Sequence, residues 1–162
     1  MKKFIGILFI LIVSIINAQN KVGTTAAEFL TIPVGTKAMA MGGAFTGLAD
    51  DITAAFYNPG SLSRIEGNQF LSNYSEWLAG SKYSCIGLGI KASTDDYIVV
   101  SVTNLDYGKE EVTTVSQPEG TGEMWEASDI AISLSYSRNL TDRFSIGGSV
   151  KYISQKIWNE SA

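Results

Sequence analysis

The sequence predicts an all-β protein whose antiparallel strands suit a membrane barrel, preceded by a segment that is not strand-like. Three observations point there. Period-two alternation recurs in the segments after residue 68. The polar half of that alternation is mostly Ser, Gly and Ala, not the Thr, Lys, Glu and Arg that usually cover a water-facing sheet. The chain also opens with an export signal.

That signal occupies residues 1–18. Lys2 and Lys3 form a basic start, Phe4 to Ile16 form an apolar run broken by Gly6 and Ser14, and Ile16-Asn17-Ala18 offers a cleavage site before Gln19. The run is too short for a membrane-spanning helix, and no later run approaches the roughly 18 apolar residues such a helix needs. An uncleaved anchor is the alternative reading. Because Gln19, not Cys, follows the cut, lipoprotein anchoring is not expected.

Composition removes several classes of function. Losing Lys2 and Lys3 leaves 10 of the 12 basic residues against 16 acidic ones, the wrong balance for nucleic acid. The chain has one cysteine, Cys85, and hence no intramolecular disulfide; it has no histidine. Histidine-dependent nucleophilic sites and most zinc sites are thereby excluded. No acid, base and nucleophile constellation is visible, so the chain is not expected to be an enzyme, and no cofactor or metal is expected.

Residues 19–67 do not alternate. Thr25-Ala26-Ala27-Glu28 has capping-box spacing and predicts a short helix through Leu30, ended by Pro33. Met39 to Gly47 is apolar and glycine-rich, with Gly42 and Gly43 at its centre, but it lacks the spacing of a phosphate-binding loop. Asp50 or Asp51 then serves as an N-cap for a helix over Ile52 to Tyr57. Paired aspartates are also candidate metal ligands or acid/base groups, but no third ligand is near in sequence. Asn58 precedes Pro59 and must leave the helical region, and Gly60 is expected to redirect the chain toward the first strand.

Residues 68–162 carry the strands. Residues 69–78 are the weakest of them, with mixed phase. Ser84 to Ile90, Tyr97 to Thr103, Asp129 to Arg138 and Phe144 to Tyr152 alternate clearly. Their small face supplies the lumen-facing candidates: Gly87, Gly89, Ser101, Ser133, Ser135, Ser149 and Lys151. Connections are short at Lys91 to Asp96, long at Asn104 to Ser128 and short at Asn139 to Asp142, the order of turns and loops in outer-membrane barrels. In the long connection Val112 to Val115 extend a strand and Pro118 to Gly122 form the tip. Its six acids face Lys109 alone; a solvated loop and a rim for divalent ions or a cationic partner are both open. Tyr74, Trp77, Tyr83, Trp125 and Trp158 lie near strand ends, where an aromatic girdle would sit.

The stretch VGTTAAEFLTIPVGTKAMAMGGAFTGLADDITAAFYNPGSLSR resembles the N-terminal region of the PorV/PorQ family, relatives of FadL-type outer-membrane channels. The matching features are Phe29-Leu30, Met41 to Phe45, Asp50-Asp51 and Tyr57 to Leu62, in order and with similar spacing. Residues 111–123 and 140–153 also look like the family. Gly60-Ser61 departs from the Ala-Gly usual in FadL-type motifs.

The resemblance implies a FadL-like barrel with the N-terminal segment as an internal plug. Gly42, Gly43, Asp50, Asp51, Asn58, Pro59 and Gly60 are its plug or hinge residues. Five or so strands cannot close a barrel, so the chain is expected to be the N-terminal part of a protein about twice as long. The implied role is accessory to type IX secretion in the outer membrane of a Gram-negative bacterium. The expected partners there are outer-membrane lipid, secretion components and exported cargo proteins. A FadL-like channel for small hydrophobic molecules and a soluble secreted β-sandwich are the alternatives.

Overall fold

The alternating segments form one antiparallel sheet. The computed structural model describes residues 26–158 and 160–161; the expected leader and Thr25 of the expected capping box lie outside them. The strands are β1 (Gln69–Glu76), β2 (Lys82–Lys91), β3 (Asp96–Glu111), β4 (Met124–Thr141), β5 (Phe144–Ile157) and the two-residue β6 (Glu160–Ser161). Each pairs with the next in sequence order. Local turns join neighbouring antiparallel strands, so a meander needs no crossover.

Strand length exceeds what alternation suggests. β3 runs 16 residues and β4 18, so most of the expected long connection belongs to strands. Its tip is a tight turn closed by the Thr114–Gln117 bridge, not Pro118 to Gly122. A bulge interrupts the β3–β4 ladder between Asp106 and Lys109, and Gly108 adopts a φ of +83° there. One extra residue on β3 needs a left-handed position, which glycine takes at low cost.

β1 alternates cleanly in burial, although its sequence phase is mixed. The reason is that both of its faces carry polar and apolar groups. Leu71 packs inward against the core while Gln69 Oε1 accepts a hydrogen bond from the Ile52 amide at 2.8 Å.

Residues 26–67 lie across one face of this sheet. They form a 3-10 turn (Glu28–Thr31), helices α1 (Thr36–Ala40) and α2 (Ala54–Tyr57), and a 3-10 segment (Pro59–Arg64). Two apolar clusters join this layer to the sheet. One gathers Phe45, Ile52, Leu62 and Ile65 on Tyr97 and Val99. The other packs Phe29 and Val34 on Tyr83, Cys85, Leu105 and Ala131. Each large side chain so buried contributes roughly 1.5–3 kcal/mol.

Several local expectations are corrected. Glu28–Thr31 is preceded by Ala27 in the left-handed region (φ 58°, ψ 38°) with no side-chain cap, and it ends before Pro33. Asp50 caps nothing; it pairs with Lys37 at 2.6 Å. Asp51 accepts the Thr53 amide at 2.8 Å and also the Thr53 hydroxyl, so it closes the turn leading into α2 and not the helix itself. α2 ends at Tyr57, as the Asn58-Pro59 junction requires. Gly60 does not redirect the chain through a positive φ. It continues a 3-10 segment that the fixed φ of Pro59 begins.

Candidate functional site

The two faces of the sheet are inverted relative to a water-soluble layer. On the covered face, Gly87, Gly89, Ser101, Ser133 and Ser135 are buried under residues 26–67. On the opposite face, Phe70, Ile86, Leu88, Val100, Ile132, Leu134 and Val150 are exposed. Burial normally selects the apolar half of an alternating strand; here the large apolar half has no protein cover among the described residues.

Register arranges that outer face in rows. Phe70, Leu88, Val100, Leu134 and Val150 pair across five strands. The adjacent row is Ser72, Ile86, Val102, Ile132 and Tyr152. A charged row, Glu76, Lys82, Asp106, Ser128 and Lys156, borders these at one end. Asp96 paired with Arg138 borders them at the other, with 3.6 Å between carboxylate and guanidinium. Asp96 and Asp106 are ten positions apart on β3, or about 33 Å along an extended strand. Among the described residues, no charged residue of this face lies between the borders.

The lumen-facing candidates share the covered face. Gly87, Ser101, Ser133 and Lys151 form one register row. Gly89 and Ser135 lie in the next row with Ser149, whose hydroxyl is 2.7 Å from that of Ser135. Ser149 and Lys151 stand on β5 beyond the cover and are exposed. Gly89 makes room for Tyr97, since a Cβ there would lie 2.8 Å from the ring.

Two other rows of the same face hold the covering segment. Lys91, Tyr97, Ser137 and Gly147 are register partners, and every one of them meets residues 59–63. Lys91 Nζ donates to the Ser63 carbonyl, and Ser137 Oγ donates to the Gly60 carbonyl at 3.0 Å. The Ser63 amide donates back to Ser137 Oγ at 3.2 Å. Tyr97 packs in the cluster around Leu62. Gly147 lies so close that a Cβ on it would be 2.6 Å from the Gly60 nitrogen and from the Pro59 carbonyl oxygen. Beside this row, Ser63 Oγ donates to Asn139 Oδ1 at 2.8 Å. Gly147 is thus needed for this close approach, whereas a Cβ on Gly60 would meet its neighbours only at 3.4 Å or more.

The second seat is the row Ser75, Tyr83, Leu105, Asp129 and Gln155. Tyr83 and Leu105 receive Phe29 and Val34. The two seats are eight positions apart on β3, about 26 Å. Tyr83 is therefore a core residue and not part of an outer aromatic girdle: its odd position puts it on the covered face, 2% exposed. Tyr74 and Trp158 are exposed.

Between the seats the covering segment is tied to itself. Tyr57 OH donates to the Val34 carbonyl at 3.0 Å and accepts its amide at 2.9 Å. The Tyr57 ring meets Phe45 edge-on at 5.4 Å, and Lys37 Nζ stands 5.7 Å from the Phe45 centroid. Bonded to Lys37, Asp50 has its carboxyl held below the usual carboxylate range. Gly42 and Gly43 follow α1 at φ +63° and +82° and make the turn after the helix, where an added Cβ would meet nothing within 4 Å. Asn58 anchors the turn by donating to the Thr46 carbonyl at 3.2 Å.

Of the expected hinge residues, the structure brings Pro59 and Gly60 to the sheet and leaves Gly42, Gly43 and Asp50 away from it. Reading the sequence misses Ser137, Asn139 and Gly147 as their receptors. Alternation assigns Ser137 and Gly147 to the small face, but only register shows that they are neighbours. Among the described residues, no three acidic or cysteine side chains group as a metal site. Comparison with protein-family models, curated proteins and solved structures gave no match.

Proposed function

We propose that the protein is an outer-membrane β-barrel component of PorV/PorQ type, accessory to type IX secretion and delivery of cargo to the cell surface. The supporting observation is the uncovered apolar face bounded by two charged borders. Its length of about 33 Å along the strand becomes about 25 Å at a strand tilt near 40°, the height of the apolar band of outer-membrane barrels. Water would make such a face an aggregation surface, whereas acyl chains satisfy it at no hydration cost. Among the described residues no helix is long and apolar enough to cross a membrane, so the strands carry the crossing in this reading.

Residues 26–67 act as the plug: they fill the lumen side, where small Ser and Gly side chains permit close backbone approach. The secretion role itself rests on the resemblance of residues 22–64 to the family. No inward ring of charge marks an ion-selective pore among the described strands.

The test is deletion of the gene together with fractionation of the full-length protein. Recovery in the outer-membrane fraction with heat-modifiable mobility, and loss of surface cargo in the deletion strain, are expected. A protein that stays soluble without detergent overturns the membrane reading. Intact surface cargo combined with lost uptake of a hydrophobic compound replaces the secretion role with a FadL-like channel.

A further inference from the structure

The start of the covering segment is joined to the long β3–β4 hairpin by a chain of side-chain hydrogen bonds. Tyr107 OH donates to Asp129 Oδ2 at 2.8 Å. Gln155 Nε2 donates to Asp129 Oδ1 at 3.2 Å, and Gln155 Oε1 accepts the Ala27 amide at 3.0 Å. Asp129 is buried, 4% exposed, and both of its oxygens are engaged in this chain. Tyr107 stands at the bulge where β3 changes register, next to Gly108. The far end, Ala27, holds a left-handed backbone that a non-glycine residue adopts only when its surroundings enforce it.

We propose that Tyr107, Asp129 and Gln155 form a latch that makes the seating of residues 27–34 depend on the conformation of the β3–β4 hairpin. The bulge aims Tyr107 at Asp129, Asp129 orients the Gln155 amide, and the amide oxygen holds Ala27 in its unfavourable conformation. Displacing the hairpin withdraws Tyr107, frees the Gln155 amide to turn, and removes what enforces the Ala27 geometry. The other seat, at Gly60 and Ser63, has its own partners on Lys91, Ser137 and Asn139, so release is confined to one end. The inference rests on these contacts and not on the membrane reading.

Hydrogen exchange on the purified full-length protein tests it. The Leu30 and Ile32 amides close the turn after Ala27, on the carbonyls of Ala27 and Phe29. Tyr107→Phe is expected to speed their exchange roughly three- to tenfold, with the Ser63 and Ile65 amides unchanged. Gln155→Ala, which leaves Tyr107 and Asp129 in place, is expected to give the same pattern. In an Ala27→Gly background the Tyr107→Phe effect should vanish, since glycine holds the left-handed geometry unaided. Unchanged exchange at Leu30 and Ile32, equal acceleration at both seats, or full persistence of the effect in the Ala27→Gly background would each overturn the latch.

Discussion

At Gly147 a single hydrogen decides whether the covering segment fits, because a Cβ there would overlap the backbone of Pro59 and Gly60 at 2.6 Å. Backbone cannot yield as the end of a flexible side chain can. Gly147→Ala is therefore expected to destabilise the protein by about 1–3 kcal/mol, whereas Gly148→Ala, with open space around it, should cost much less. Denaturant titration of the two variants checks this; equal loss would mean that residues 59–60 do not lie on β5. Asp50 shows a different residue-scale effect. Its carboxyl is lowered first by the hydrogen bond from Lys37, so the stabilisation it gives is present above the unfolded-state value and is lost as pH falls through the lowered folded one. Asp50→Asn should accordingly lower stability slightly at neutral pH and flatten the profile below about pH 4, where the contribution of the carboxylate is lost in any case. The pair is half-exposed, which keeps this contribution small.

Strands are the elements that carry the inverted pattern. Leu134 lies in the middle outward row and Ser128 in a charged border row, so arginine at the two positions should differ sharply in lipid. Leu134→Arg is expected to cost about 2–4 kcal/mol of folding into phospholipid vesicles, and Ser128→Arg about 0–1 kcal/mol. Similar costs at both positions would show that the apolar face does not contact acyl chains. The covering segment follows other rules, since its helices are only four and five residues long and too short to be stable alone. The clusters around Leu62 and Phe29, the Tyr57–Val34 pair and the two seats give it its shape.

Among the described residues, the sheet has a free edge at β1, and β5 is paired at its outer edge only at Lys156 and Ile157. Unpaired strand edges inside a bilayer are costly, so under the proposed membrane reading both edges would need a further partner. How much of this was legible beforehand depends on the range of the interactions. Alternation placed β2 to β5, the Asn58-Pro59 junction ended α2, and Gly, Ser and Ala identified the covered face, because these are properties of one strand or one turn.

The sequence by itself therefore determined the centres of β2 to β5 and their two faces, through local sterics and side-chain periodicity. Only the tertiary structure decided that Ser137 and Gly147 receive Gly60, that Tyr83 is core, and that Tyr107 reaches Ala27 through Asp129 and Gln155. Those contacts join residues that are tens of positions apart. They depend on strand register and a one-residue bulge, and a shift of one position would turn each of these side chains to the opposite face.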